Sequence, residues 1–162
     1  SKEDTLMFVF INIGSNKGDR KLNLSRAMRG VNQAFGYFEM SHTVESEPWG
    51  YESSAKFLNV GMMFYTELTP LEVLDKLQEI EQSISPDSHR DSNGNYIDRL
   101  IDIDIVAIDE QVIDDERLKV PHPHLAERRF FLEPMNEIGP DWRHPVTGKN
   151  AAEMLADLNN KQ

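Results

Sequence analysis

At 162 residues with 39% hydrophobic content, the chain suffices for one well-packed core and is short for two, so a single domain over 1–162 is expected. Cysteine is absent, which excludes disulfides and thiolate metal sites; any metal must be held by oxygen or imidazole, an inventory suited to a hard cation such as Mg²⁺. A formal charge of −11 argues against an extended nucleic-acid footprint, and no stretch reaches the apolar length of a membrane span, so a cytoplasmic protein is expected.

Leu6 to Ile13 reads as a first strand, ending at the turn-rich Gly14-Ser15-Asn16-Lys17-Gly18-Asp19. There Gly14 would serve a tight turn and Asn16 would brace neighbouring loops. Leu24, Ala27, Met28, Val31 and Ala34 recur at helical spacing, with Gly36 as a stop. Phe38 to Val44 follows as a second strand. From Glu45 to Lys56 the periodicity is lost, and Pro48, Trp49 and Gly50 mark a long loop of the kind that more often carries function than filler. Phe57 to Tyr65 is a third strand. Thr69-Pro70-Leu71-Glu72 opens a second helix, with Thr as cap, Pro at the first helical position and Glu placed for a capping box. Leu71, Leu74, Leu77, Ile80 and Ile84 carry its apolar stripe, and a polar loop from Ser85 to Asp98 leads into Leu100-Ile101-Asp102-Ile103-Asp104-Ile105-Val106. Strand, helix, strand, strand, helix, strand is the order of a ferredoxin-like α+β fold, βαββαβ, with an antiparallel sheet and helices on one face. Gln111 to Ile113 is a candidate edge strand, and Ala151 to Leu158 a last helix among extra C-terminal elements.

The strand through the two aspartates carries the chemistry. Side chains alternate across a strand, so Asp102 and Asp104 share a face while Ile101, Ile103 and Ile105 turn inward. Carboxylates held this close repel, which raises at least one pKa, and a divalent cation between them removes the repulsion. A solvated strand face is the other reading of the same alternation. Against the acidic background, Arg117, Lys119, His122, His124, Arg128 and Arg129 gather in one stretch, either a local positive potential suited to a polyphosphate or an ordinary mixed-charge surface. Phe57 and Asn59 share a strand face by period two.

Taken in order, several segments resemble the 6-hydroxymethyl-7,8-dihydropterin pyrophosphokinase family of folate biosynthesis. They are Ile13-Gly14-Ser15-Asn16, Phe57-Leu58-Asn59-Val60, Asp98-Arg99-Leu100-Ile101-Asp102-Ile103-Asp104-Ile105, Glu116-Arg117-Leu118, Val120-Pro121-His122-Pro123, and Arg128 with Phe130 and Glu133-Pro134. The resemblance covers most of the chain and implies the ferredoxin-like fold. It also implies transfer of the terminal pyrophosphoryl unit of ATP to the hydroxymethyl group of a reduced pterin, with release of AMP. By the same resemblance Asp102 and Asp104 coordinate two Mg²⁺ ions, which would neutralise the triphosphate and align the reacting phosphorus. Arg99 and Arg90 would join them at the reacting groups, and Arg117, His122, Arg128 and Tyr96 would hold ATP. Phe57 and Phe130 would sandwich the pterin, Asn59 would read its pyrimidine edge, and Ser46 and Trp49 would lie in a pterin-side loop.

The family usually continues from the Glu of the second helix into a Gly-Arg segment, whereas this chain has Ile80-Glu81-Gln82-Ser83-Ile84-Ser85-Pro86. His89 and Arg90 are the only basic residues between Ser85 and Asp98, and Tyr96 stands where Trp is common, so closure over ATP is expected to differ. ATP and the dihydropterin are the expected partners of a monomer that binds neither nucleic acid nor membrane. A metal-dependent phosphohydrolase or nucleotidyltransferase would use the same aspartate pair, and a non-catalytic ligand sensor is the remaining alternative.

Overall fold

A computed structural model describes residues 6–86 and 97–161. The core runs β1 (Met7–Ser15), α1 (Arg20–Phe35), β2 (Phe38–Met40), β3 (Val44–Ser46), β4 (Phe57–Thr66), α2 (Pro70–Ile84) and β5 (Asp102–Ile108). All pairings are antiparallel, in the order β2-β4-β1-β5 with β3 also against β4. This is the ferredoxin-like arrangement, with the second strand broken into β2 and β3. Ser46 therefore ends a strand, paired with Phe57, where the sequence reading put it in a loop. The alternation Val44-Glu45-Ser46 was too short to register as a strand by itself, and its partner strand supplies what propensity does not.

Local signals set the helix starts. Asp19 accepts from Leu22 N at the head of α1, and Thr69 and Glu72 close the expected capping box on α2. Leu24, Ala27 and Val31 of α1, with Val73, Leu77 and Ile80 of α2, pack on one sheet face against Ile11, Ile13, Val60, Ile103 and Ile105.

The opposite face explains where the site lies. Along β1 it reads Phe8, Phe10, Asn12, Gly14; along β4 it reads Met63, Gly61, Asn59, Phe57; along β5, Val106 gives way to Asp104 and Asp102. The apolar half is covered by α3 (Arg129–Ile138) and α4 (Ala151–Asn160), whose Phe131, Leu132, Met135 and Met154 join Phe10, Val106 and Ala107 in a second core. Helices therefore cover both sheet faces, and the second layer stops where the strands turn polar. Only α4 was expected of these two; the segment containing Arg128, Phe130, Phe131 and Leu132 was assigned no element, although Phe131, Leu132 and Met135 keep helical spacing. α3 sits very close to the sheet: a Cβ on Gly61 would come 2.4 Å from Cβ of Pro134.

A bulge in β5 completes the frame. Phe10 pairs with Ala107 and Ile11 with Ile105, so Val106 is the extra residue, and both Val106 and Ala107 face the C-terminal layer. The Val106 carbonyl then accepts from His122 N at 2.8 Å. The expected edge strand near 111–113 is instead half of a separate hairpin, β6 (Ile113–Asp114) against β7 (Lys119–Val120), which delivers the chain to Pro121. Among the described residues, no helix is long and apolar enough to cross a membrane.

Candidate active site

A cleft of about 360 Å³ opens over the polar half of the sheet. Its floor is built from two cross-strand rows, Asn59–Gly14–Asp102 and Gly61–Asn12–Asp104, each spanning β4, β1 and β5. Strand register alone thus sets the amide end and the carboxylate end of the cleft one strand apart, roughly 5 Å on either side of β1. Asp104 is half-buried on the cleft floor, and loss of solvent there, reinforced by the charge of Asp102, pushes its carboxyl well above the ordinary value; the Arg128 guanidinium partly opposes the shift. Arg99 pairs with Asp102 at 3.3 Å, and its guanidinium lies 5.7 Å from the centre of the Phe57 ring.

Glu81 of α2 accepts from the backbone N–H of Ile103, the residue between the two aspartates, at 2.9 Å. Burial, with the Asp102 charge adding to it, raises the Glu81 carboxyl to about 7. Glu81 lies on an adjoining pocket of about 330 Å³ that shares Asp102, Asp104 and His122 with the cleft. Arg117 opens onto that second pocket and not onto the main cleft, because Asp75 at 2.6 Å and Gln78 at 3.3 Å hold its guanidinium against α2. Arg90 and Tyr96 lie outside the described residues.

The cationic wall comes from the segment leading into α3. The Arg128 guanidinium stacks over Trp49, 4.2 Å from the ring centre, and lies 5.1 Å and 5.5 Å from the rings of Phe131 and Phe130. Trp49 also touches His124, with ring centres 4.6 Å apart. His122 Nδ1 accepts from His124 N at 3.1 Å. Burial, with Arg128 and His124 adding to it, lowers the His122 pKa to about 4. The imidazole is therefore neutral at pH 7 with Nδ1 already engaged, leaving Nε2–H as a donor.

At the amide end, Asn59 Nδ2 donates to Val44 O (3.0 Å) and Ser46 Oγ (2.9 Å), while its Oδ1 accepts from Asn12 Nδ2 at 3.3 Å. Asn16 ties the surrounding segments together. Its Nδ2 donates to Tyr51 Oη, Ala55 O and Asp98 Oδ1 within 3.0 Å, and its Oδ1 accepts from Arg99 N at 2.8 Å. Asp98 also accepts from Tyr51 and Ser53, so the 47–56 loop and the approach to β5 share one anchor.

Among the described residues no group of three or more His, Cys, Asp and Glu is arranged to hold a metal ion. Two neighbouring carboxylates with open space above them nevertheless suit Mg²⁺, which typically takes one or two protein carboxylates and completes its shell with water and substrate phosphate.

A family model described as 7,8-dihydro-6-hydroxymethylpterin-pyrophosphokinase (HPPK) matches residues 10–140. The chain belongs to this family. Curated relatives named 2-amino-4-hydroxy-6-hydroxymethyldihydropteridine pyrophosphokinase agree with it. The Aquifex aeolicus protein is 35% identical over 90% of this chain and 88% of its own length, and the Bacillus subtilis protein 37% identical over 80% and 76%. Among solved structures, wild-type Plasmodium falciparum HPPK-DHPS with pterin and p-hydroxybenzoate superposes at a TM-score of 0.72 with 16% identity, and the same protein with pteroate at 0.73 with 13%. Each comparison covers 96% of this chain but 44% of the fused one, so this chain spans less than half of those proteins, and the likeness supports the fold alone.

In this chain, the cleft brings together Ser46, Trp49, Phe57, Asn59, Arg99, Asp102, Asp104, His122, Arg128 and Phe130, all expected from the sequence. It adds Asn12 and Glu47, which sequence reasoning left without a role, and His124, expected only as part of the basic stretch. Asn12 had a signal, a lone amide alternating with isoleucines in an apolar strand. Gly14 does not make a turn: it lies within β1, and a Cβ there would come 2.9 Å from Asn59 Oδ1 and 3.3 Å from the Phe57 ring. Gly14→Ala is accordingly expected to weaken pterin binding about tenfold, roughly 1.4 kcal/mol, read by fluorescence titration, with nucleotide affinity within about twofold. Unaltered pterin affinity would show that the amide and ring can yield.

The lowered pKa of His122 gives a pH signature. A folded-state value of about 4 against an ordinary 6.5 means its contribution to stability is fully present above 6.5 and is lost as pH falls toward 4. The shift corresponds to at most about 3 kcal/mol, and nearer 2 after solvent screening. Urea unfolding of the parent and of His122→Gln at pH 7 and pH 4.5 should show the parent losing about 2 kcal/mol more; equal losses would place its titration at the ordinary value.

Proposed function

We propose that the cleft performs the family reaction through these residues: the hydroxymethyl oxygen of 6-hydroxymethyl-7,8-dihydropterin attacks the β-phosphorus of ATP. The bond from that phosphorus to the α–β bridging oxygen breaks, AMP leaves, the pyrophosphoryl group is carried by the pterin, and the hydroxyl proton passes to solvent. The observation that carries this assignment is the register of three strands, which sets an aromatic and amide end and a paired-carboxylate end across one strand on a single open face.

Phe57 and Phe130 supply flat apolar surface for a heterocycle, and Asn59 offers a carboxamide to its edge. Asp102 and Asp104 are the donors for Mg²⁺, two ions with ATP bound. When present the metal neutralises the triphosphate and lowers the cost of charge on the departing AMP. Arg128, braced by Trp49, and Arg99, beside Asp102, provide guanidinium donors at the phosphate side without taking up protons. His122 adds an uncharged Nε2–H donor. Glu81 fixes the backbone between the metal-binding aspartates. Arg117 reaches ATP only after leaving Asp75, so its role belongs to a state with nucleotide bound. In this reading the chain acts as a cytoplasmic monomer.

The test is conversion of ATP plus 6-hydroxymethyl-7,8-dihydropterin by the purified protein with Mg²⁺, with nucleotides resolved and the pterin product weighed by mass spectrometry. Equal yields of AMP and pterin pyrophosphate are expected. ADP with free phosphate would instead indicate a phosphohydrolase, release of inorganic pyrophosphate with a nucleotidylated product a nucleotidyltransferase, and binding of both ligands without turnover a passive sensor.

A further inference from the structure

Asn12 is 3% exposed at the centre of β1, between Gly61 and Asp104 in the sheet, on the floor of the cleft. An apolar residue would fill this position without desolvating an amide. Instead its Nδ2 makes one long bond, 3.3 Å to Asn59 Oδ1, and its own Oδ1 has no hydrogen-bond partner. Buried amides with half their capacity unused weaken a fold, so stability does not account for Asn12.

The bonding of Asn59 supplies the reason. Both hydrogens of its amide are committed, to Val44 O and to Ser46 Oγ, which directs the oxygen over β1. The capacity left for a ligand is an oxygen lone pair, so Asn59 in this orientation recognises a donor, the N–H or amino group of a pyrimidine edge, and not an acceptor. Rotating the Asn59 amide alone by 180° would turn its oxygen toward the Val44 carbonyl and set its NH₂ against the NH₂ of Asn12. Asn12 thus adds, from the β1 side, to the hold that Val44 and Ser46 exert on this orientation.

We infer that Asn12 is a positioning residue for pterin recognition: it locks the Asn59 carboxamide with its oxygen toward the substrate and thereby makes the site selective for a donor-bearing pyrimidine edge. The inference rests on the proposed function, since it presupposes that a pterin occupies this end of the cleft. Asn12 need not touch the substrate, because its effect passes through Asn59. An amide oxygen accepts two hydrogen bonds, so the contact from Asn12 persists when a ligand donor arrives.

The test is a double-mutant cycle read by equilibrium binding. Affinities for 6-hydroxymethyl-7,8-dihydropterin and for its analogue lacking the 2-amino group are measured by fluorescence titration, and for a non-hydrolysable ATP analogue by calorimetry. The proteins are the parent, Asn12→Ala, Asn59→Ala and the double variant. Asn12→Ala is expected to weaken binding of the natural pterin about tenfold, to reduce its preference over the deamino analogue by a similar factor, and to change ATP-analogue affinity less than twofold. In the Asn59→Ala background the same substitution should have almost no further effect. Asn12→Leu, which fills the space without a donor, should behave like Asn12→Ala.

Equal losses from Asn12→Ala in both backgrounds would overturn the inference, as would full rescue by leucine, which would reduce Asn12 to packing. A lowered melting temperature with pterin selectivity intact would overturn it too. Failure of the parent to bind the pterin at all would strike the proposed function itself, and is separable because the parent is titrated first.

Discussion

Asp104→Asn is expected to lower turnover by about a hundredfold or more while leaving the metal-free protein no less stable than the parent, and more stable at pH 8. The two effects have one cause. Burial and the Asp102 charge raise the Asp104 carboxyl well above its ordinary value. Such a group contributes stability that is complete below the ordinary carboxylate range and is lost as pH rises through the raised value. As pH rises above the ordinary carboxylate range the metal-free parent therefore loses stability at this position, and asparagine keeps the shape without that pH-dependent loss. In the proposed reaction the same carboxylate would hold the divalent cation, so removing its charge should abolish metal positioning. Asp102→Asn should lose turnover similarly and also release Arg99 from its 3.3 Å pairing. Turnover with Mg²⁺ and melting at pH 8 without it check both halves; near-normal turnover in either variant would sink the two-aspartate assignment.

Gly61→Ala should be strongly damaging although it adds a single methyl group. The added Cβ would lie 2.4 Å from Cβ of Pro134, backbone-tethered on both sides, so neither atom can rotate away and α3 must move. Overpacking of this kind costs about 1–3 kcal/mol, roughly 5–10 °C in melting temperature for a chain of this size at the upper end. The functional cost follows from what α3 carries. Arg128 caps its start and Phe130 lies in its first turn, so a displaced helix carries a guanidinium and an aromatic wall away from the cleft. Apparent KM for ATP and for the pterin should both rise several-fold, whereas a purely local defect would leave both unchanged at temperatures where the variant is folded. Unchanged melting and KM would mean that α3 rides on the sheet less rigidly than the contact implies.

Much of this was readable from the chain because the signals are local. Thr69-Pro70-Leu71-Glu72 carries its own capping chemistry, and the alternation through Asp102 and Asp104 settles which face each side chain takes. What escaped depends on partners distant in sequence. β3 is three residues long and exists by pairing with β4, and α3 forms because Phe131, Leu132 and Met135 find Phe10 and Val106 more than twenty residues away. The bulge at Val106 has no turn residue to announce it. Gly14 was misread for a related reason: a glycine before Ser-Asn suggests a turn, while its need for a bare Cα arises from Asn59 and Phe57 on the neighbouring strand. Asn16 as a brace was within reach, since a short amide in a turn has few other uses, but its partners Tyr51, Ala55 and Asp98 were not.

The bare floor at Gly14 also bears on how this site would respond to an inhibitor. A compound lying flat on that glycine occupies space that a larger residue could in principle reclaim, the simplest route by which a target evolves resistance. Here that route is closed, because any side chain at 14 displaces Asn59 and Phe57, the same groups proposed to hold the natural substrate. Resistance would have to arise at the rim, around the half-exposed Trp49, so a ligand that avoids the 47–56 loop and presses on the floor would leave the enzyme few viable escapes.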